Sequence, residues 1–144
     1  MSNLTIQDKI NLIKNGIFYE EFATDEEFDV RYFTAKAGKY LNILVNDYNY
    51  YIRIEVAEKR YGLDKLINDE NVFVREAVAR QGYGLEKLIN DESNLVKIAV
   101  AKQGYGLDIL INNENKHVRD AVIRYCKRHK DEEKCKNILM LENL

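Results

Sequence analysis

Apolar residues return along this chain at i, i+3, i+4, in sets of two kinds. Leu63, Leu66 and Ile67 form a short set, repeated by Leu85, Leu88, Ile89 and by Leu107, Leu110, Ile111. Val74, Ala77 and Val78 begin a longer one. The spacing predicts helices throughout, short ones of α or 3-10 type alternating with longer α-helices. No segment alternates with period 2, so no strand is expected. Asn49, Asn71, Ser93 and Asn115 precede the longer helices and are good N-caps. Gly82 and Gly104 follow them as left-handed stop residues. Thr5 and Asp8 read as a capping box ahead of a helix carrying Ile6, Ile10 and Ile13 and ending near Gly16.

The two sets together recur every 22 residues. Residues 62–83 read GLDKLINDENVFVREAVARQGY, 84–105 read GLEKLINDESNLVKIAVAKQGY, and 106–127 read GLDILINNENKHVRDAVIRYCK. Residues 40–61 repeat the unit, and 18–39 are a degenerate version of it. Five units therefore span 18–127, with 1–17 and 128–144 left as helical caps of a single domain over 1–144. Ile138, Leu139, Leu141 and Leu144 give the last segment an apolar face, which either covers the final repeat or docks on a partner. No unit can bury its apolar stripe alone, and stacking buries them all; the expected fold is an all-α solenoid. The column Ala35, Ala57, Ala79, Ala101 fits close helix approach, or simply high helix propensity.

The segment from Asp69 to Ala79, DENVFVREAVA, resembles the core of HEAT-like repeats. Val74 to Ile89, VREAVARQGYGLEKLI, is similar to the leucine-rich repeat variant. The resemblance implies a right-handed superhelix in which a short 3-10-like helix stacks on an α-helix. It also implies scaffolding, partner recognition or occasional nucleic-acid binding. Val72 and Asn94 stand where such repeats often carry proline, and no cysteine-rich cluster module precedes the repeats. The resemblance further implies a ladder between units. Asp25, Asp47, Asp69 and Asp91 stand six residues before Arg31, Arg53, Arg75 and Lys97, with Asn113 and Arg119 in the last unit. The alternative for that basic stripe is an anion-binding track.

Composition narrows the function. The formal net charge is -2, which excludes a globally basic nucleic-acid binder. The chain is 46% hydrophobic and has no proline, so a helical, folded protein is expected. No signal-peptide core or membrane span is expected, and two cysteines are too few for a disulfide framework; a cytoplasmic protein is the expectation. His117, Cys126, His129 and Cys135 are zinc-type ligands, but their spacing matches no paired-ligand signature. No phosphate loop and no distinct acid–base pair emerges. The expectation is a protein without catalytic, cofactor or metal residues, and not an enzyme.

Binding residues are easier to nominate. Tyr48, Tyr50, Tyr51, Ile54, Phe73, Leu95 and Ile98 lie off the core stripe, a composition suited to a protein-binding surface or to burial between repeats. Arg80, Lys102, Lys116, Arg119, Arg124, Lys127 and Arg128 form a basic patch, against an acidic run over 20–29. The expected function is a non-catalytic protein-interaction module: an adaptor, inhibitor or immunity-type protein of a bacterium or phage. The alternative is nucleic-acid binding through the basic C-terminal end. Head-to-tail self-association is a further option for two oppositely charged ends. No membrane partner is expected.

Overall fold

The computed structural model describes residues 3–142. Among them it is all-helical, without strands. The order is α1 (Ile6–Lys14), a 3-10 turn (Glu20–Thr24), α2 (Phe28–Lys36), α3 (Leu41–Leu44), α4 (Tyr50–Glu58), α5 (Leu63–Leu66), α6 (Val72–Arg80), α7 (Leu85–Leu88), α8 (Asn94–Lys102), α9 (Leu107–Leu110), α10 (Lys116–Arg128) and α11 (Glu133–Glu142). Four-residue helices alternate with nine-residue ones from α3 to α8, and the four-residue α9 is followed by the 13-residue α10. No described helix is long and apolar enough to cross a membrane. Leu144 of the expected C-terminal face lies outside the described residues, while Leu141 is exposed and Ile138 buried.

The caps form as their residue types require. The side chains of Asn49, Asn71, Ser93 and Asn115 accept hydrogen bonds from the amides of Tyr51, Phe73, Leu95 and His117. Each satisfies a helix N–H that has no partner inside its own helix. The Thr5–Asp8 capping box closes in both directions, at 3.0 and 3.1 Å. Each short helix starts from a left-handed residue: Tyr40, Gly62, Gly84 and Gly106 have φ of 52, 60, 59 and 59°. Glycine is needed most at Gly106, where a Cβ would strike Ile89 Cδ1.

The chain divides into two compact units, Met1–Val74 and Arg75–Leu144. In the first, α1 packs on α2 and α2 on α4. Ile13, Phe22 and Val30 form a buried cluster there, and Leu44, Ile52, Val56 and Leu66 are also buried. In the second, α8 packs on α10 and α10 on α11, with Leu88, Val96, Val100, Leu110, Val118 and Val122 buried. Ala35, Ala57, Ala79 and Ala101 have no exposed surface. That suits a small residue at a close approach.

Charged groups repeat with the helices. Lys9 pairs with Asp25 at 2.6 Å, and Arg31, Arg53 and Arg75 pair with Asp47, Asp69 and Asp91 at 2.7 Å. Every pair spans sixteen residues. The aspartate six residues before each arginine is met differently, through its backbone. Arg31 Nη1 donates to the Asp25 carbonyl, Arg53 Nη1 to that of Asp47, and Arg119 Nη1 to that of Asn113. The carboxylates are committed elsewhere. One oxygen accepts the amide two residues on, at Glu27, Asn49, Asn71 and Ser93, while the other faces the cation of the preceding unit. Asn113 keeps the turn, accepting from the Asn115 amide, but has no carboxylate for Lys97. The two cysteines, too few for a disulfide framework, are joined to each other: Cys126 of α10 and Cys135 of α11 form a buried disulfide.

Candidate functional site

The first compact unit displays a short aromatic stack. The Asn49 cap sets Tyr50 and Tyr51 on the opening turn of α4, and Asn71 does the same for Phe73 on α6. The Tyr50 ring lies 4.4 Å from Tyr51 at 27° and 6.1 Å from Phe73 at 24°. Tyr51 and Phe73 remain 55% and 48% exposed. A hydrogen bond with Tyr51 pushes the Tyr50 hydroxyl above its ordinary pKa, with partial burial adding to it. Ile54 is half-buried on the same helix.

Tyr48 belongs to a different arrangement. It is 79% exposed, yet its ring lies 4.5 Å over the Arg31 guanidinium. Arg31 Nη2 is buried and has no hydrogen-bond partner, so the ring face shields the part of the cation that Asp47 does not reach. Of the other nominated apolar residues, Leu95 is exposed on α8, and Ile98 lines a cavity against α10.

That cavity lies within the second unit and holds about 660 Å³. It is walled by Ile98 and Lys102 from α8 and by His117, Ala121, Arg124, Tyr125 and Arg128 from α10, with His129 at the helix end. A departure from the repeat builds it. Position 126 holds Cys where Gly82 and Gly104 stop the earlier helices, and α10 runs for 13 residues instead of 9. The added turn supplies Tyr125 and Arg128 and carries His129 beside them. Tyr125 can lie against the chain at Gly104 because that residue has no side chain: a Cβ there would meet the Tyr125 ring. The Tyr125 hydroxyl donates to Glu132 at 3.2 Å, and Lys134 donates to the Gly104 carbonyl at 2.9 Å. Burial raises the Tyr125 pKa; Lys134 opposes this, and the Glu132 carboxylate reinforces it. Tyr125 and His129 stack at 4.0 Å and 15°. His129 Nδ1 lies 2.8 Å from the Tyr125 carbonyl, so Nδ1 carries a proton and donates it.

The structure sorts the basic candidates. Arg80 pairs with Glu76 at 3.2 Å, Lys116 pairs with Asp120 at 2.7 Å, and Arg119 donates to the carbonyls of Asn113 and Glu114. Lys127 is exposed on α10 and does not line the cavity. Lys102, Arg124 and Arg128 line it together, and none has an ion pair among the described residues. Arg124 Nε donates to the Asp120 carbonyl at 3.3 Å. The Asp120 carboxylate is held below its usual pKa chiefly by its hydrogen bond from Lys116, against an upward push from burial; the charges of Lys116, Arg124 and His117 add to the lowering.

Sequence reasoning missed Tyr125 as a wall residue and the pairing of Cys126 with Cys135. The missing stop glycine at position 126 was the available signal for the longer helix. No family model matches the chain, and neither the curated proteins nor the solved structures contain a match.

Proposed function

We propose that the chain is a right-handed α-solenoid of five 22-residue units, of the HEAT-like or leucine-rich repeat variant kind, that binds another protein without catalysis. The helix alternation and the sixteen-residue charge ladder support the repeat reading, since both recur in step with the sequence unit. The Tyr51–Tyr50–Phe73 stack carries the functional reading. Aromatic side chains give large contact area at low entropic cost and dominate protein interfaces. Here three are pre-arranged on capped helix starts with two of them about half exposed. A rigid aromatic patch of this kind loses little freedom on binding.

The test is retention of a partner from a lysate of the source cells by immobilised protein, wild type against the double variant Tyr51→Ala, Phe73→Ala. The expected result is a protein held at high salt and after nuclease treatment, and lost by the variant. Stability of the variant should fall by no more than about 1–2 kcal/mol, because both side chains are about half exposed. Equal retention by both proteins would remove the stack from the interface. Loss of folding in the variant would return the rings to a structural role.

A further inference from the structure

We propose that the cavity between α8 and α10 is a binding site for a phosphate monoester, with Lys102, Arg124 and Arg128 as its cationic clamp. Several of the chain's other cations are met by an acid. Arg31, Arg53 and Arg75 each face an aspartate, and Lys9 faces Asp25. Arg80, one repeat before Lys102, takes Glu76 from the preceding turn of its own helix. In α8 the residue at that place is Ile98, so Lys102 has no acid on the preceding turn, unlike Arg80. In α10 the corresponding acid is Asp120, but its carboxylate is ion-paired with Lys116; Arg124 hydrogen-bonds only to its carbonyl and acts on the carboxylate at longer range. Arg128 follows Arg124 by four residues on the same helix face, and like charges at that spacing oppose folding. No carboxylate lines the cavity. Three cations without an ion pair among the described residues, set around one concavity, make a local excess of positive charge that a bound anion would balance.

The shape and the walls select the anion. A volume of about 660 Å³ falls among sites for small organic ligands. A phosphate monoester carries roughly -1.5 to -2 charge at pH 7 and three strong acceptor oxygens. It can therefore engage two guanidinium forks and an ammonium at once, where a carboxylate would leave most of the charge unmet. His117 stands at the same wall and can turn a ring N–H to an anion. Ile98 and Ala121 give an apolar lining, and the stacked Tyr125–His129 pair a flat one, for the body that carries the phosphate. The added turn of α10 and the bare backbone at Gly104 hold this wall in place. The site uses none of the residues of the aromatic stack, so it stands or falls separately from partner docking.

The experiment is calorimetric titration of the purified protein at low salt with adenosine monophosphate, with a phosphoserine peptide, with a single-stranded oligonucleotide lacking terminal phosphate, and with benzoate as a carboxylate control. The expected result is saturable one-to-one binding of at least one phosphate monoester, with benzoate bound at least about tenfold more weakly. Tighter binding of the nucleotide or of the peptide identifies which source of the monoester the site takes. Arg124→Gln and Arg128→Gln should each weaken binding about tenfold or more, while Lys127→Gln, which removes one charge from the same helix outside the cavity, should leave it within about twofold. Ile98→Glu, which gives Lys102 the partner that Arg80 has, should abolish it. Circular dichroism of each variant establishes that the fold is retained. Absence of saturable binding by both monoesters overturns the proposal. So does an equal loss in Lys127→Gln, which would mean diffuse charge attraction. Tighter binding of a single-stranded oligonucleotide than of either monoester also overturns it, in favour of a phosphodiester track.

Discussion

At the residue scale the ion pairs are unequal. Arg53 and Arg75 grip their aspartates with two nitrogens each. Arg31 has one such bond, and both partners are almost wholly buried. The second amino group is left to the face of Tyr48. Tyr48, nominated from sequence for partner binding, thus has a structural contact in spite of its exposure. Truncating Arg31 would leave the Asp47 carboxylate buried without its cation. Arg31→Ala should therefore cost on the order of 3–5 kcal/mol, read from the urea midpoint at unchanged m-value. A loss below about 1 kcal/mol would mean that water replaces the guanidinium freely.

At the scale of elements, repeat and departure from repeat do different work. The nine-residue helices end at residues 80 and 102 because left-handed stops follow them, with φ of 71° at Gly82 and 74° at Gly104. Cys126 at the corresponding place of α10 permits continued helix, is fully buried, and is bonded to Cys135 on α11. That bond closes a short loop whose freedom in the unfolded chain is thereby reduced. Reduction, or Cys126→Ser, should lower stability by about 2–3 kcal/mol and speed amide exchange in α11 first. Identical melting with and without reductant would show that the helix pair is held by packing alone. Because Lys134 of α11 and Glu132 just before it both contact the Tyr125 side chain, reduction should loosen the cavity as well.

At the scale of the molecule, the paired carboxylates tie folding to pH. Burial alone would raise the Asp91 pKa. Hydrogen bonds from Arg75 and the Ser93 amide, with the nearby charges of Arg75 and Lys97, outweigh it and hold the group below its ordinary value. Asp8 and Asp120 are lowered too, through Thr5 and Lys116 in turn. A group depressed in the folded state adds stability above its unfolded pKa and loses it as pH falls through the folded one. Thermal melts should therefore change little on acidification to about pH 5 and fall steeply below about pH 4. Asp91→Asn should start from a lower stability at pH 7 and show a shallower acid loss. An acid profile identical to wild type would mean that the Arg75 pair contributes nothing to folding.

Helix positions, cap residues and the 22-residue period were legible in the sequence because each depends on neighbours a few residues away. An i, i+3, i+4 stripe, an Asn before a helix and a Gly after it carry their meaning locally. The acid partners of the arginines were not legible at the right distance. The nearest regular acid stood six residues before each arginine, yet the carboxylate that meets it comes from sixteen residues after, because the turn claims one oxygen and directs the other backward. The basic candidates looked alike in sequence. Only tertiary packing divided them into those met by Glu76, Asp120 or backbone carbonyls alone, the exposed Lys127, and the three that share a cavity. The cysteines show the same division: local pattern puts Cys126 on a helix, and only the packing of α11 against α10 brings Cys135 to it. Local chemistry determined the elements. The return of distant segments to one another decided which charges are neutralised and which are left for a ligand.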